Sequence, residues 1–518
     1  MVILTTTLSV LLMILTPIGV AILLRRYFAV RWWLFLVGAA TFVGSQVYHF
    51  PLNDWLTDLG WIGPVSVDAP NLLRTAVILG LSAGICESVA RALGYGLLFR
   101  FGQAQQREDG LMVGLGHGGI EAMLVGGVLT AATVSSLWAL RGVDLQTLNL
   151  LPEQLTAVQQ QMGLFDGSPL TIFFAFGERL IALTLHVFLS LLVWRAFAER
   201  QPLYFLAALL YHSFFDATAV YVAQFLEIWQ AELLFLLLAL PALGLLVRWW
   251  PDRPLRRLQP LRAEIALFWL ALGKELRQQW QTKRLLVVTA VFLLFGLASP
   301  LVAYFTPQII GSIEEAAMFA DLIPEPSNRD AIAQYVGNIT QFGFILALLL
   351  GMGAVAGEKE RGLTPMILSK PMPRWAFLLS KFAAQTLVYL LSFTLSGLAV
   401  YYYTYLLFEP LTFGPFMLGN YLLFTWLLTF AAVTLLGSAM ARTTGAAAGI
   451  ALGGSVLIFL GGSLPNYGPL FPSGLIGWAS QLGVETAVDP NAGALAFSLV
   501  IILLCLIAAI ALFEVEEL

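Results

Sequence analysis

Residues 114–121 read GLGHGGIE, and this stretch puts an imidazole, His117, and a carboxylate, Glu121, inside a run otherwise apolar enough to cross a membrane. Both groups are expensive there. The two are four residues apart, so on a helix at about 100° per residue they project from nearly the same face. Gly114, Gly116, Gly118 and Gly119 remove side-chain bulk around them, which lets neighbouring helices approach closely, as small residues do in membrane bundles. Working outward, four other apolar stretches carry matching polar groups: Glu87 with Arg91, Glu178 with Arg179, His186, and His212 with Asp216.

The whole chain shares the apolar character of that stretch. Of its 518 residues 59% are hydrophobic and 11% charged, and runs of about 20 apolar residues recur from end to end, which marks an all-α polytopic membrane protein. The net charge of −4, without any Lys/Arg-rich run, gives no sign of nucleic acid. Cys86 and Cys505 lie in separate apolar runs and define neither a disulfide framework nor a thiolate metal site. The start lacks a basic leader and its apolar run is long, so a first span is expected there rather than a cleaved signal peptide.

Hydropathy predicts spans roughly at 5–24, 32–50, 72–99, 110–138, 171–197, 202–223 and 230–249, then at 285–305, 336–356, 375–407, 418–440, 445–463 and 494–513. That is about 13 helices in two bundles, about 7 and 6. Basic residues orient them: Arg25, Arg26, Arg31, Arg100, Arg107, Arg195 and Arg200 all become cytoplasmic if the N-terminus is outside. The loops with Asp54, Asp58 and Asp68 and with Asp144, Glu153 and Asp166 are then external. In the second bundle Lys359, Arg361, Lys370, Arg374 and Arg442 fall inside, Glu314, Glu315, Asp321 and Glu325 outside, and the C-terminus is cytoplasmic. A multi-pass protein of a plasma membrane is expected.

Between the bundles, Trp249 to Arg262 reads WWPDRPLRRLQPLR, where prolines beside an arginine cluster stop the helix. The expected organisation is therefore a module at 1–250, a cytoplasmic linker at 251–262 and a second module at 263–518. The second begins with a mixed polar and apolar stretch, Glu264 to Lys283, that suits an interfacial helix. All four histidines, His49, His117, His186 and His212, precede residue 250, and no lysine precedes Lys274. Chemistry belongs to the first half.

Three pairs in that half repeat a four-residue interval: Glu87 with Arg91, His117 with Glu121, and His212 with Asp216. Charged groups at mid-bilayer cost several kcal/mol unless paired or hydrated, so they are expected to turn inward, marking a functional cavity or serving as helix-pairing glue with Arg91 neutralising a carboxylate. CESVAR, GHGGIEA, GERLIALTLH and YHSFFD resemble the YhfC-type intramembrane proteases, relatives of the CAAX-protease and bacteriocin-processing superfamily. That superfamily is marked by Glu with Arg four on and His with Asn or Asp four on. Many of its members carry two adjacent glutamates; here Cys86 precedes Glu87.

The resemblance implies a catalytic set of Glu87, Arg91, His117, Glu121, His186, His212 and Asp216, supported by Glu178 and Arg179. Glu87 would be the general base, held by Arg91. His212 and His186, with His117, would orient water or stabilise an oxyanion. Asp216 and Glu121 would fix the tautomers of imidazoles one helical turn away. Such proteins have been described both as metalloproteases and as glutamate proteases. No H-E-x-x-H occurs, which weighs against zinc, while His117, His186 and His212 leave a metal site open.

In the second half, AGEKERGLTPMILSKPMPR, from Ala356 to Arg374, is the most charged stretch between two spans. It resembles the type-2 ABC exporter permeases, whose E-x-E-x-G-T is followed by L-S-x-P and a basic residue. Glu358, Glu360, Gly362, Thr364, Ser369, Pro371, Arg374 and Lys381 follow that order, with Leu363 inserted. The resemblance implies that Glu358, Glu360, Gly362, Thr364 and Pro371 lie in the loop that couples to an ATPase. No G-x-x-x-x-G-K-[ST] occurs, so ATP is handled by a separate subunit, and permease halves work as a homodimer or with another permease.

The expected protein is thus a fusion of an intramembrane hydrolase module with an ABC exporter permease, acting on a peptide or membrane-protein substrate among membrane lipids. The rival is a first module that does no hydrolysis and serves the transporter as a substrate-binding accessory.

Overall fold

In the computed structural model, residues 2–141, 143–148, 155, 158–159, 161–163, 171–251, 261–312, 324–485 and 488–516 are described. All regular structure among them is helical. The chain forms two compact units, Met1–Val134 with Val143–Leu258 and Ser135–Gly142 with Gln259–Leu518. Twelve helices among the described residues are long and apolar enough to span a membrane. A thirteenth, Trp32–Asp58, is long enough, at 27 residues, but Gln46, His49 and Asn53 lower its hydropathy. The expected loop residues Glu153, Asp166, Glu314, Glu315 and Asp321, and 252–260 of the linker, lie outside the described residues.

The first unit contains α1 (Val2–Phe28), α2 (Trp32–Asp58), α3 (Leu72–Arg100), α4 (Arg107–Ala139, of which the part up to Val134 belongs to this unit), α5 (Thr171–Ala198), α6 (Leu203–Val222) and α7 (Ile228–Arg248). Helix α4 opens with a reciprocal Gln106–Asp109 capping box, which satisfies orphan amides at its start. It packs on α1, α2 and α5, while α3 lies against α2 and α6. The reason is lack of bulk. A Cβ on Gly116 would stand 2.0 Å from the Phe35 carbonyl oxygen, and one on Gly38 of α2 would stand 2.0 Å from that of Val113. On the other side, Gly114 and Gly118 meet Val187 and His186 of α5 at 2.8 and 2.7 Å. Backbones therefore touch on two sides of the helix that carries His117 and Glu121. After Glu121 the helix widens into eight π-helical residues, Ala122–Leu129, a feature frequent beside functional sites.

Past residue 259 the second unit continues with α8 (Leu261–Gln281), which is not apolar enough to cross a membrane. Then come α9 (Arg284–Gly311) and α10, built from Asn328–Asn338, the π-helical Ile339–Gly343 and Phe344–Gly351. Two short helices follow, α11 (Ala356–Glu360) and α12 (Leu363–Leu368), before α13 (Arg374–Leu407), α14 (Phe413–Met440), α15 (Thr444–Gly462), α16 (Ser473–Gln481) and α17 (Ala492–Val515). Trp426, Phe430, Phe393, Tyr389 and Tyr335 fill its core. Inside that core Tyr335 donates to Asn420 Oδ1 at 2.7 Å, and Asn420 Nδ2 donates to the Phe393 carbonyl at 2.8 Å, so this pair is satisfied as burial requires, whereas Tyr389 Oη and Trp426 Nε1 have no hydrogen-bond partner among the described residues. The break between α10 and α11 is stitched by Ser438, whose Oγ accepts from the amides of Val355 and Ala356 at 3.0 Å and donates to the Met352 carbonyl at 2.8 Å.

Candidate functional site

Four helices converge on one carboxylate. Glu87 of α3, 6% exposed, has its Oε2 3.3 Å from Arg91 Nη2, 3.0 Å from His117 Nε2 of α4, 3.8 Å from His186 Nδ1 of α5 and 3.8 Å from His212 Nε2 of α6. Arg91 and His117 are fully buried and His186 and His212 nearly so. The rings of His117 and His186 lie 5.5 Å apart, and those of His186 and His212 5.2 Å. Small residues make this approach possible on the α3–α6 side too, where Gly84 faces Ser213 and Gly80 faces Ala217.

Arg91 does more than neutralise Glu87. Its Nη2 also lies 2.5 Å from His186 Nδ1. A guanidinium has only donors to offer, so Nδ1 accepts and the ring proton of neutral His186 sits on Nε2, 2.5 Å from Glu121 Oε2. Glu121 thus serves a ring on the neighbouring helix. Its expected partner, His117 one turn back on the same helix, is held instead by Thr41 of α2, with Nδ1 2.9 Å from Oγ1. The reason is the tight α4–α5 approach, which brings His186 to Glu121, and Arg179, which reaches Glu121 Oε1 at 3.3 Å with its stem lying on Gly126. Arg179 is also paired with Glu178. His212 keeps its expected partner, with Asp216 Oδ2 3.3 Å from Nε2. Its Nδ1 is buried without a hydrogen-bond partner among the described residues.

Two neighbours escaped the sequence reading. Thr41 is one threonine in an apolar run, and nothing in its surroundings sets it apart. His49 stands on α2 beside Ser82 and Asn53, at 3.2 and 3.1 Å from its Nε2; Asn53 lies four residues on, the superfamily's own His-to-Asn interval, and that signal could have found it.

One carboxylate and two imidazoles, Glu87, His117 and His186, offer donor atoms all within 4.8 Å of one another. That donor set is one that zinc takes, and the residues fit an ion on this count. His186 Nδ1 can join such a set only by giving up its contact with Arg91.

In the second unit the residues expected to face an ATPase divide into inward and outward groups. Glu358 is 4% exposed and accepts from Lys381 Nζ at 2.8 Å, while the same Nζ lies 3.1 Å from Glu275 of α8. Lys274 closes the cluster at 3.0 Å from Glu275 and 3.6 Å from Glu358. Burial alone would raise the Glu275 carboxyl, but Lys381 and Lys274 hold it below the usual carboxylate range. Glu360 accepts from the Thr444 amide and hydroxyl, both at 3.1 Å, and so caps α15. Arg374 donates to the carbonyls of Phe513, Glu514 and Glu516 at the end of α17, where a cation suits the helix dipole. Gly362, at φ +68°, makes the left-handed turn into α12, where Thr364 is buried. Of the five expected coupling residues Glu358 and Thr364 are buried, while Glu360, Gly362 and Pro371 are exposed, together with Arg361, Pro365, Met366, Ser369 and Lys370.

Residues 12–234 match the family described as YhfC intramembrane metalloprotease, and residues 269–470 match the ABC-2 family transporter proteins. The chain is 29% identical over 185 residues, 35% of its own length and 71% of the relative's, to the uncharacterized transmembrane protein YxlG of Bacillus subtilis (strain 168). It is 28% identical over 213 residues, 40% of its length and 79% of the relative's, to the uncharacterized membrane protein YhfC of the same organism. The chain is a fusion of a YhfC-type domain with an ABC-2 permease domain in a multi-pass membrane protein. The second domain implies an ABC ATPase subunit as partner.

Proposed function

We propose that the first module, residues 1–250, is an intramembrane peptidase and that the second, residues 263–518, is the membrane half of an ATP-driven exporter. One chain would then cleave a membrane-embedded peptide or protein segment and export the product. A cytoplasmic linker at 251–262 would join the two, with the N-terminus outside and the C-terminus inside. The observation that carries the peptidase reading is the convergence of Arg91 and three imidazoles on a single buried carboxylate oxygen. No packing requirement explains so many ionisable groups at mid-span, where each is costly.

In this reading Glu87 takes the proton from the attacking water. Arg91 holds Glu87 in place and keeps the buried charge compensated. His186 has both ring nitrogens engaged, by Arg91 and Glu121, so it acts as a strut. By the same count His117 is held between Thr41 and Glu87, so contact with water and with the oxyanion falls to His212, aligned by Asp216. A zinc ion held by Glu87 and His117, with His186 or His212, would supply Lewis acidity toward the peptide carbonyl. ATP would be used by the partner subunit, with two copies of this chain, or this chain and another permease, forming the transport path.

The test compares wild type with Glu87→Gln and His212→Ala in nanodiscs, on a library of transmembrane peptides, with metal content read on the same samples. Cleavage lost in both variants is expected. If wild type cleaves nothing while ATPase-dependent transport survives both substitutions, the first module is a substrate-binding accessory.

A further inference from the structure

We infer that Thr41 is a positioning residue that fixes the proton of His117 on Nδ1 and turns the Nε2 lone pair toward Glu87. The Thr41 hydroxyl has one hydrogen. Its Oγ1 lies 2.7 Å from the Gly38 carbonyl oxygen, a hydrogen-bonded separation for two oxygens. Without the proton on that line, two sets of lone pairs would face each other. The hydroxyl is therefore spent on Gly38, and Oγ1 can only accept from His117 Nδ1, 2.9 Å away. Nδ1 carries its hydrogen whether the ring is neutral or charged.

The neutral ring then presents a bare nitrogen to Glu87 Oε2 at 3.0 Å. Two acceptors at that distance, both buried, are held together only by something positive between them, a proton or a metal ion. Thr41 thus sets what the Glu87–His117 pair can hold, acting through the far nitrogen of the ring. The fold enforces the alignment: Gly38 lies one turn before Thr41 and Gly116 directly before His117, and their backbone contacts leave α2 and α4 no room to slide. Phe42, edge-on to the ring at 5.4 Å between centroids, keeps the imidazole from turning over.

This rests on the peptidase reading only for the site's use, so the test reads the ring itself. The chain has four histidines, and ¹⁵N-histidine labelling of the full chain in nanodiscs gives four ring pairs by solid-state NMR, with His117→Gln assigning the one in question. Wild type at neutral pH is expected to show His117 protonated on Nδ1. Thr41→Val, which keeps the shape and removes the acceptor, should shift the proton to Nε2 and weaken Zn²⁺ binding by about 10- to 100-fold; Thr41→Ser should restore both. A wild-type ring with bare Nδ1, which needs no variant to observe, overturns the inference, as does Thr41→Val with unchanged ring nitrogens. A tautomer shift as expected in a protein that cleaves nothing would sink the peptidase reading and leave the role of Thr41 standing.

Discussion

Arg91 lies closer to His186 Nδ1, at 2.5 Å, than to Glu87 Oε2, at 3.3 Å. The arginine one turn along from the central carboxylate thus ties α3 to α5, and the charge it compensates is shared across helices. Removing it leaves Glu87 and the acceptor nitrogen of His186 buried and unanswered.

Arg91→Met should therefore lose about 3–5 kcal/mol of stability, the cost of breaking a buried pair from one side, together with all cleavage. Arg91→Lys keeps the charge but not the guanidinium geometry that lets Nη2 serve both acceptors, so its Tm should recover further than its activity. Thermal unfolding of purified protein beside peptide cleavage reads both; an unchanged Tm in Arg91→Met would contradict the shared-charge picture.

Gly116→Ala forces a methyl onto the Phe35 carbonyl, whereas Gly44→Ala meets nothing within 4 Å. The first should cost at least about 1–3 kcal/mol, as overpacking does, and abolish activity; the second should be nearly silent in the same melting experiment. Equal effects would mean that α2 and α4 are not in backbone contact.

Lys381 stands between Glu275 and Glu358 with 3% of its surface exposed. Lys381→Met leaves Glu275 and Glu358 with only the half-exposed Lys274 between them and should destabilise by about 3–5 kcal/mol. Adding Glu358→Gln should recover part of that loss, a coupling of about 0.5–3 kcal/mol. Additive melting shifts in a double-mutant cycle would show that the cluster is not one unit.

Acid should act through Glu275. Its carboxyl is raised by burial but lowered further by Lys381 and Lys274, for a net depression. A depressed carboxylate contributes stability that is present above its unfolded pKa and is lost as pH falls from there through the folded value. Wild type should accordingly lose stability on acidification below the ordinary carboxylate range, and Glu275→Gln should flatten that slope. Parallel Tm-against-pH curves for the two proteins would exclude this role.

Hydropathy and basic residues made the helices legible, since a span needs a long apolar run and little else. The short helix α16 was not, because it is shorter than any span and the stretch around it is broken by Pro469, Pro472 and Gly474. Within the site, the i,i+4 pairs Glu87–Arg91 and His212–Asp216 were legible because each partner lies on its own helix. Glu121 was misassigned to His117 for the same reason: shared face is a local property, and its contact with His186 depends on how closely α4 and α5 pack. Glu358 looked like a surface charge, since nothing local reveals Lys381, 23 residues on.

Helix α4 carries His117 and Glu121 yet has little side-chain substance over 114–119. Its rigidity is supplied by the walls of α2 and α5 pressed against its bare backbone. A strut of this kind has no give of its own, so any shift in either wall arrives at His117 and Glu121 undamped. Sequence changes far from the ionisable groups, on the outer faces of α2 or α5, are then a route by which the proposed activity would be tuned or silenced with every ionisable residue of the site still present.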